Sequence, residues 1–331
     1  MIYNNIIDLH GVSELECTAD GVFSTMRLPM DVYECMGDQG KSQCKNCTGV
    51  EFRFVINSGD VKLKFKYPED AKGEITVMHG DFVADWPETT KYLCGDCEIT
   101  IVQDKDIERM RKIAKEYGHR FSPDVVRLLF KGVRPQIVEV NGDISLPTAD
   151  MLPKKKYLAY GSSITHGIGA SRPGIAYPGY ISRRLDCNFR NLGFSGCAKG
   201  EDTMIAYLAE QECSVFVLDY DHNAPNPAHL AETHEKLYLA FRAAHPTTPV
   251  VMVGRPDFKL PTDDPKRRDV IFATYRNARA RGEKVIFVDG YSLFHGEMRD
   301  DCTVDGCHPN DVGMMRMADV IGKAVEFALS M

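Results

Sequence analysis

The chain of 331 residues carries 47 acidic against 40 basic side chains, a formal net charge of −7, and 44% of it is hydrophobic. That much apolar material supports a substantial core and excludes a disordered chain, while the acidic balance argues against a nucleic-acid partner, whose phosphates need a concentrated positive surface. The stretch Met1 to Asp8 has neither the basic nor the apolar region of a signal peptide, and no apolar run approaches the ~20 residues that span a bilayer, so a cytoplasmic protein with no membrane partner is expected.

In chain order, residues 1–150 read as short period-2 strands: Val50 to Ile56, Val61 to Tyr67, Glu74 to Met78, Cys97 to Val102 and Gln136 to Val140. Alternation of this kind marks antiparallel strands with one wet face, and a β-sandwich of jelly-roll type is predicted. One helix, about Asp106 to Tyr117, interrupts them, and its basic run Arg109 to Arg120 reads as a solvated face. Four of the 11 cysteines form two doublets, Cys44/Cys47 and Cys94/Cys97, each in a turn before a strand-like run. Two such knuckles can hold a structural zinc; plain thiols and disulfides are the alternatives.

Near Pro147 to Lys154 the pattern changes, and residues 151–331 alternate apolar runs with helical stretches. Lys156 to Tyr160, Asn188 to Leu192, Val215 to Leu218, Val250 to Val253 and Val285 to Val288 suit a parallel sheet buried on both faces. Helices such as His229 to His245 and Pro265 to Arg281 complete βαβ units, which predicts a three-layer α/β/α, doubly wound domain. Ligands of such sheets lie outside the carboxyl ends of the strands. The informative turns are therefore Gly161-Ser162-Ser163-Ile164-Thr165, Gly193-Phe194-Ser195-Gly196 and Asp219-Tyr220-Asp221-His222-Asn223. To these is added Asp305-Gly306-Cys307-His308-Pro309, an acid three residues before a histidine, where a loop enters a long amphipathic helix.

A serine hydroxyl becomes nucleophilic only when a base takes its proton, and an imidazole doing so needs a carboxylate to fix its tautomer. Ser163 on a strand-to-helix turn reads either as that nucleophile or as an N-cap. The turns together resemble the SGNH, or GDSL-type, hydrolase superfamily, over about Lys156 to the C-terminus. The resemblance implies Ser163 as nucleophile, His308 as base, Asp305 as its orienting acid, and an oxyanion hole from Ser163, Gly196 and a side-chain amide. Two positions depart from the pattern: Ser162 stands in place of the usual Asp, and the third block places Asp221 where an Asn is expected. A carboxylate would repel the oxyanion, so the amide is assigned to Asn223.

Ser195, Cys197 and Cys307 are rival nucleophiles, and Arg255 is a candidate clamp for an anionic group. Asp219, Asp221, His222, Asp305 and His308 offer a rival, metal-dependent hydrolase site. A carbohydrate-binding protein with a lapsed hydrolase site is a third reading, opposed by the intact Ser, Asp and His. The leading expectation is a serine esterase acting on small acyl esters, acetyl above all, of oligosaccharides or small molecules. It needs no catalytic cofactor; acyl transfer to another acceptor and assembly into homo-oligomers stay open.

Overall fold

The computed structural model describes residues 1–17, 22–84, 89–256 and 264–331. The chain divides into two compact units: residues 1–34, 44–154 and 172–174 form one, and 35–43, 155–171 and 175–331 form the other.

The first unit is an antiparallel sheet organised on one long strand. Its main strands are β1 (Ile7–His10), β2 (Glu51–Lys66), β3 (Gly73–His79), β4 (Asp96–Ile101), β5 (Val125–Gly132) and β6 (Gln136–Ser145). The two strand runs read separately in the sequence are the two halves of β2. The first half pairs with β1 and β5, as in Phe52 with Leu9 and Leu128, and the second with β4 and β6, as in Leu63 with Ile99 and Val140. Phe52 and Phe65, thirteen residues apart, would stand about 43 Å apart on a straight strand. Their ring centroids are 6.2 Å apart, so β2 folds over at the exposed Asn57–Asp60 segment and both halves cover one core. β6 follows the bend through register shifts between Asn141 and Ile144, the local use of β-bulges. The helix α1 (Ile107–Tyr117) closes on Gly118 in the left-handed region.

The other face of β2 buries charge that strand periodicity did not reveal. Arg127 grips Glu51 with two hydrogen bonds of 2.9 Å, Arg53 adds one of 2.8 Å, and Arg127 also reaches Asp81 at 3.0 Å. The Phe121 ring lies 3.8 Å from the Arg127 guanidinium carbon. Burial alone would raise the Glu51 pKa, but Arg127 and Arg53 overcome it and hold the carboxyl far below the usual range.

The four cysteines expected to share a zinc do not gather into a ligand cluster among the described residues. Cys47 donates its thiol to the carbonyls of Gly132 and Val133, and Cys97 to that of Phe65. Burial pushes the Cys44 thiol up to about 11 and that of Cys47 to about 12, which favours the protonated form. All 11 cysteines are free thiols.

The second unit carries five parallel strands, β7 (Lys156–Gly161), β8 (Asn188–Gly193), β9 (Val215–Asp219), β10 (Val250–Val253) and β11 (Val285–Val288), in the order β8-β7-β9-β10-β11. Alternation splits each strand between two layers. Tyr157, Ala159, Val215, Val217, Val251 and Val253 share a core with Met314, Met317 and Ile321 of the C-terminal helix Asp311–Ala328. On the opposite face Phe216 meets Phe241 of the helix Pro227–Ala244 at 4.5 Å. The strand order reverses at β7, and in doubly wound sheets ligands lie at such a reversal, outside the carboxyl ends of the strands. No helix among the described residues is long and apolar enough to cross a membrane.

Replacing Glu51 with Gln leaves two guanidinium groups buried without their shared anion. The expected cost is about 3–5 kcal/mol of stability, read as a lower denaturant midpoint; an unchanged midpoint would show that the cluster adds nothing.

Candidate active site

The segment after β7 turns directly into a short helix, Ser163–His166. Its N-cap is Ser162, whose hydroxyl accepts from the Ile164 amide at 3.2 Å. Ser162 therefore fills the capping role considered for Ser163 and leaves the Ser163 hydroxyl for other work. That hydroxyl lies 2.9 Å from Nε2 of His308, and Nδ1 of the same ring lies 2.7 Å from Oδ2 of Asp305. An imidazole held between a carboxylate and a hydroxyl can take the hydroxyl proton while the carboxylate stabilises the resulting cation.

The loop carrying His308 is braced by the same acid. Oδ1 of Asp305 accepts the amides of Cys307 and His308 at 2.9 and 2.7 Å. The Val304 amide donates to the His308 carbonyl and the Asn310 amide to that of Cys302. Asn310 then caps the C-terminal helix through the Gly313 amide. Hydrogen bonding from His308 and the neighbouring amides pulls Asp305 down to about 2, so it stays ionised across the neutral range.

Beneath Ser163 lies a second network. Asn191 donates to the Thr165 carbonyl and accepts the Gly193 amide, both at 2.8 Å, which ties the β8 turn to the serine turn. A side chain at Gly193 would meet the His166 backbone at 2.2 Å, so only glycine permits this approach. Asp219, at the end of β9, accepts from Thr165 at 2.9 Å and Tyr177 at 2.8 Å and also offers its carbonyl to the Ser162 amide. Burial, only partly offset by these hydroxyls, pushes its carboxyl up to about 7.

A family model of GDSL-like lipases and acylhydrolases matches residues 154–326, just over half of the chain. The chain belongs to the GDSL-like lipase/acylhydrolase family. No curated protein sequence is significantly similar to it. Among solved structures, a protein described as a GDSL-like lipase from Bacteroides ovatus is 21% identical, with 98% of each chain covered and a TM-score of 0.69. A salicylyl-acyltransferase from a tetracycline biosynthetic pathway is 17% identical, covers 98% of this chain and 96% of its own, and gives 0.77. A family two carbohydrate esterase from Clostridium thermocellum, solved with cellohexaose, is 13% identical over 86% and 94% of the two chains and gives 0.62. At these identities the likeness is one of fold.

The remaining residues of the family blocks divide into those near the second block and those turned elsewhere. Asn223 donates its amide to the Phe194 carbonyl at 2.8 Å, beside Gly196, which has φ +72°. Asp221 is turned away: it is buried, pairs with Arg267 at 3.2 Å and accepts the Arg255 amide at 3.0 Å. With Asp219 and Asp221 engaged in these separate networks, the five-residue metal set read from the sequence does not assemble. Cys197 is buried, and Cys307 shares its sulfur with His222 Nε2 at 3.0 Å. Burial, reinforced by Arg255, pulls His222 down to about 4, leaving a neutral ring at neutral pH.

Sequence reading missed Gln39. It lies in the short segment that packs with the second unit, and its amide donates to the Ser195 carbonyl at 3.4 Å. A recess of about 280 Å³ opens beside it, lined by Cys35, Met36, Gln39, Cys197, Lys199 and Met204. Nothing in the local sequence of Gln39 ties it to a block more than 150 residues away; only the folded chain does.

The sign of the Asp219 shift sets a pH dependence. Its folded pKa lies above the ordinary 3.8, so its contribution to stability is full below about pH 4 and is lost as pH rises toward 7. Asp219→Asn keeps the acceptor oxygen without the titration. Its melting temperature relative to wild type is expected to be more favourable at pH 8 than at pH 4.5; a difference constant with pH would remove the buried, raised acid.

Proposed function

We propose that the chain is a serine esterase that removes small acyl groups, acetyl in particular, from carbohydrate or similar small alcohols. The observation that carries this reading is the His308 ring, 2.9 Å from the Ser163 hydroxyl and 2.7 Å from Asp305. His308 takes the Ser163 proton as the oxygen attacks the ester carbonyl. The tetrahedral oxyanion is held by the amides of Ser163 and Gly196 and by Asn223, whose carboxamide carries a second N–H besides the one given to Phe194. Collapse expels the alcohol, which leaves with the proton from His308, and water then repeats the sequence to free Ser163.

The carbohydrate esterase with bound cellohexaose supports a sugar ester as the substrate class by analogy of fold. The salicylyl-acyltransferase, alike over nearly its full length, favours a second reading, in which an alcohol other than water accepts the acyl group. The same residues serve either outcome, since only the acceptor changes.

Ser163→Ala is expected to fold normally and lose roughly 10⁶-fold of turnover, with Asp305→Asn falling by about 10⁴-fold. Wild-type hydrolysis by purified Ser163→Ala, or no labelling of Ser163 by a fluorophosphonate, would refute the mechanism. Asn223→Ala is expected to cost about 10²–10³-fold in kcat, and a variant with full activity would move the third oxyanion donor elsewhere. Acetylated oligosaccharides compared with aryl esters of rising chain length, with and without added acceptor alcohols, test the substrate. Preference for long aryl esters alone would end the carbohydrate reading, and acyl products outrunning hydrolysis would establish transfer.

A further inference from the structure

Three groups of the His308 loop, a carboxylate oxygen of Asp305, the sulfur of Cys307 and a ring nitrogen of His308, lie within 4.8 Å of one another. A fourth, Nε2 of His222, stands 3.0 Å from that sulfur. Zinc bonds of about 2.0–2.3 Å place tetrahedral ligands roughly 3.3–3.8 Å apart, so the loop trio needs a modest contraction, and His222, which touches the trio at Cys307, must swing toward the other two to complete the set. The loop backbone is already fixed by the Val304 and Asn310 amides and by the Asp305 turn, so little ordering remains. One thiolate, two imidazoles and one carboxylate form a borderline-soft set that suits zinc over magnesium or calcium. Thiolate and carboxylate together balance the two charges of the ion, so binding leaves no net charge in the cleft.

We propose that Cys307, His222, His308 and Asp305 form a regulatory zinc site whose occupation switches the esterase off. The inhibitory part rests on the proposed serine mechanism. Zinc engages His308 and Asp305, so Ser163 loses its base and His308 its orienting acid. Cys307 gives up its thiol proton to solvent on binding, and a chelator reverses the change. Cys307 and His222 have no part in acyl transfer, which makes the pair the element that confers zinc sensitivity.

The test uses the full chain, free zinc set by metal buffers, and two readouts. Zinc binding is measured by competition with a chromophoric chelator, and ester hydrolysis is followed at the same free zinc. Wild type is expected to bind one zinc at this site and to lose turnover in parallel. Cys307→Ser should keep its metal-free turnover while its zinc affinity and its half-inhibitory concentration both weaken by roughly 10- to 100-fold or more. His222→Gln provides a second, independent ligand loss with the same expected direction. Equal zinc affinity in wild type and Cys307→Ser would overturn the site, since other cysteines would then account for the metal. Binding at Cys307 with no loss of turnover would overturn the switch. Activity lost on exhaustive chelation and restored by zinc would overturn it as well, in favour of a catalytic metal. A chain that hydrolyses no ester yet binds zinc through Cys307 would sink the serine mechanism while the metal site stands.

Discussion

One imidazole joins the two ends of the second unit. His308 reaches Ser163 across 145 residues of sequence, and the bond exists only because β7 ends and the C-terminal helix begins at the same edge of a parallel sheet. In a doubly wound sheet the turn after each strand emerges on that edge, so residues far apart in the chain converge without any long loop. Asp305 secures the convergence from the other side, one carboxylate oxygen holding the ring and the other the backbone of its own loop.

The serine turn is also held from below, by buried groups. Asn191 clamps it to the second strand end, and the Asp219, Tyr177 and Thr165 network clamps it to the third. Burial pushes Asp219 toward neutrality, which lets a carboxyl serve as a hydrogen-bonding post without placing a second full charge beneath Ser163. The same burial logic runs the other way in the first unit, where two arginines overcome desolvation and keep Glu51 ionised. The protein thus uses buried carboxyls in two states, set by which donors face them.

Local chemistry made much of the site readable. Ser163, Asp305 and His308 stand in short, punctuated turns whose residue types suit only a few tasks, and the structure brings all three together. Most strand runs are legible too, by a period of two in the first unit and by continuous apolar runs in the second, although Ile7–His10 and Val125–Gly132 are not among them. Reading failed where the partner is remote. The Cys44/Cys47 and Cys94/Cys97 doublets have zinc-knuckle spacing, yet Cys47 and Cys97 donate to carbonyls and the four form no ligand cluster among the described residues. Glu51 and Arg53 fall in a run expected to have one wet face, and nothing local marks Arg127 or Gln39.

Sequence alone determined the family, the five runs of the parallel sheet and the residue types at each turn, since these depend on neighbours within a few positions. Tertiary structure decided which serine caps the helix and which faces the histidine, and where β2 folds back on itself. It also decided that Asp221 turns to Arg267 while Asn223 turns to the second block, and that Cys307 meets His222. Each of these is a choice among chemically similar groups, and burial and distance between remote segments settle such choices where composition and spacing cannot.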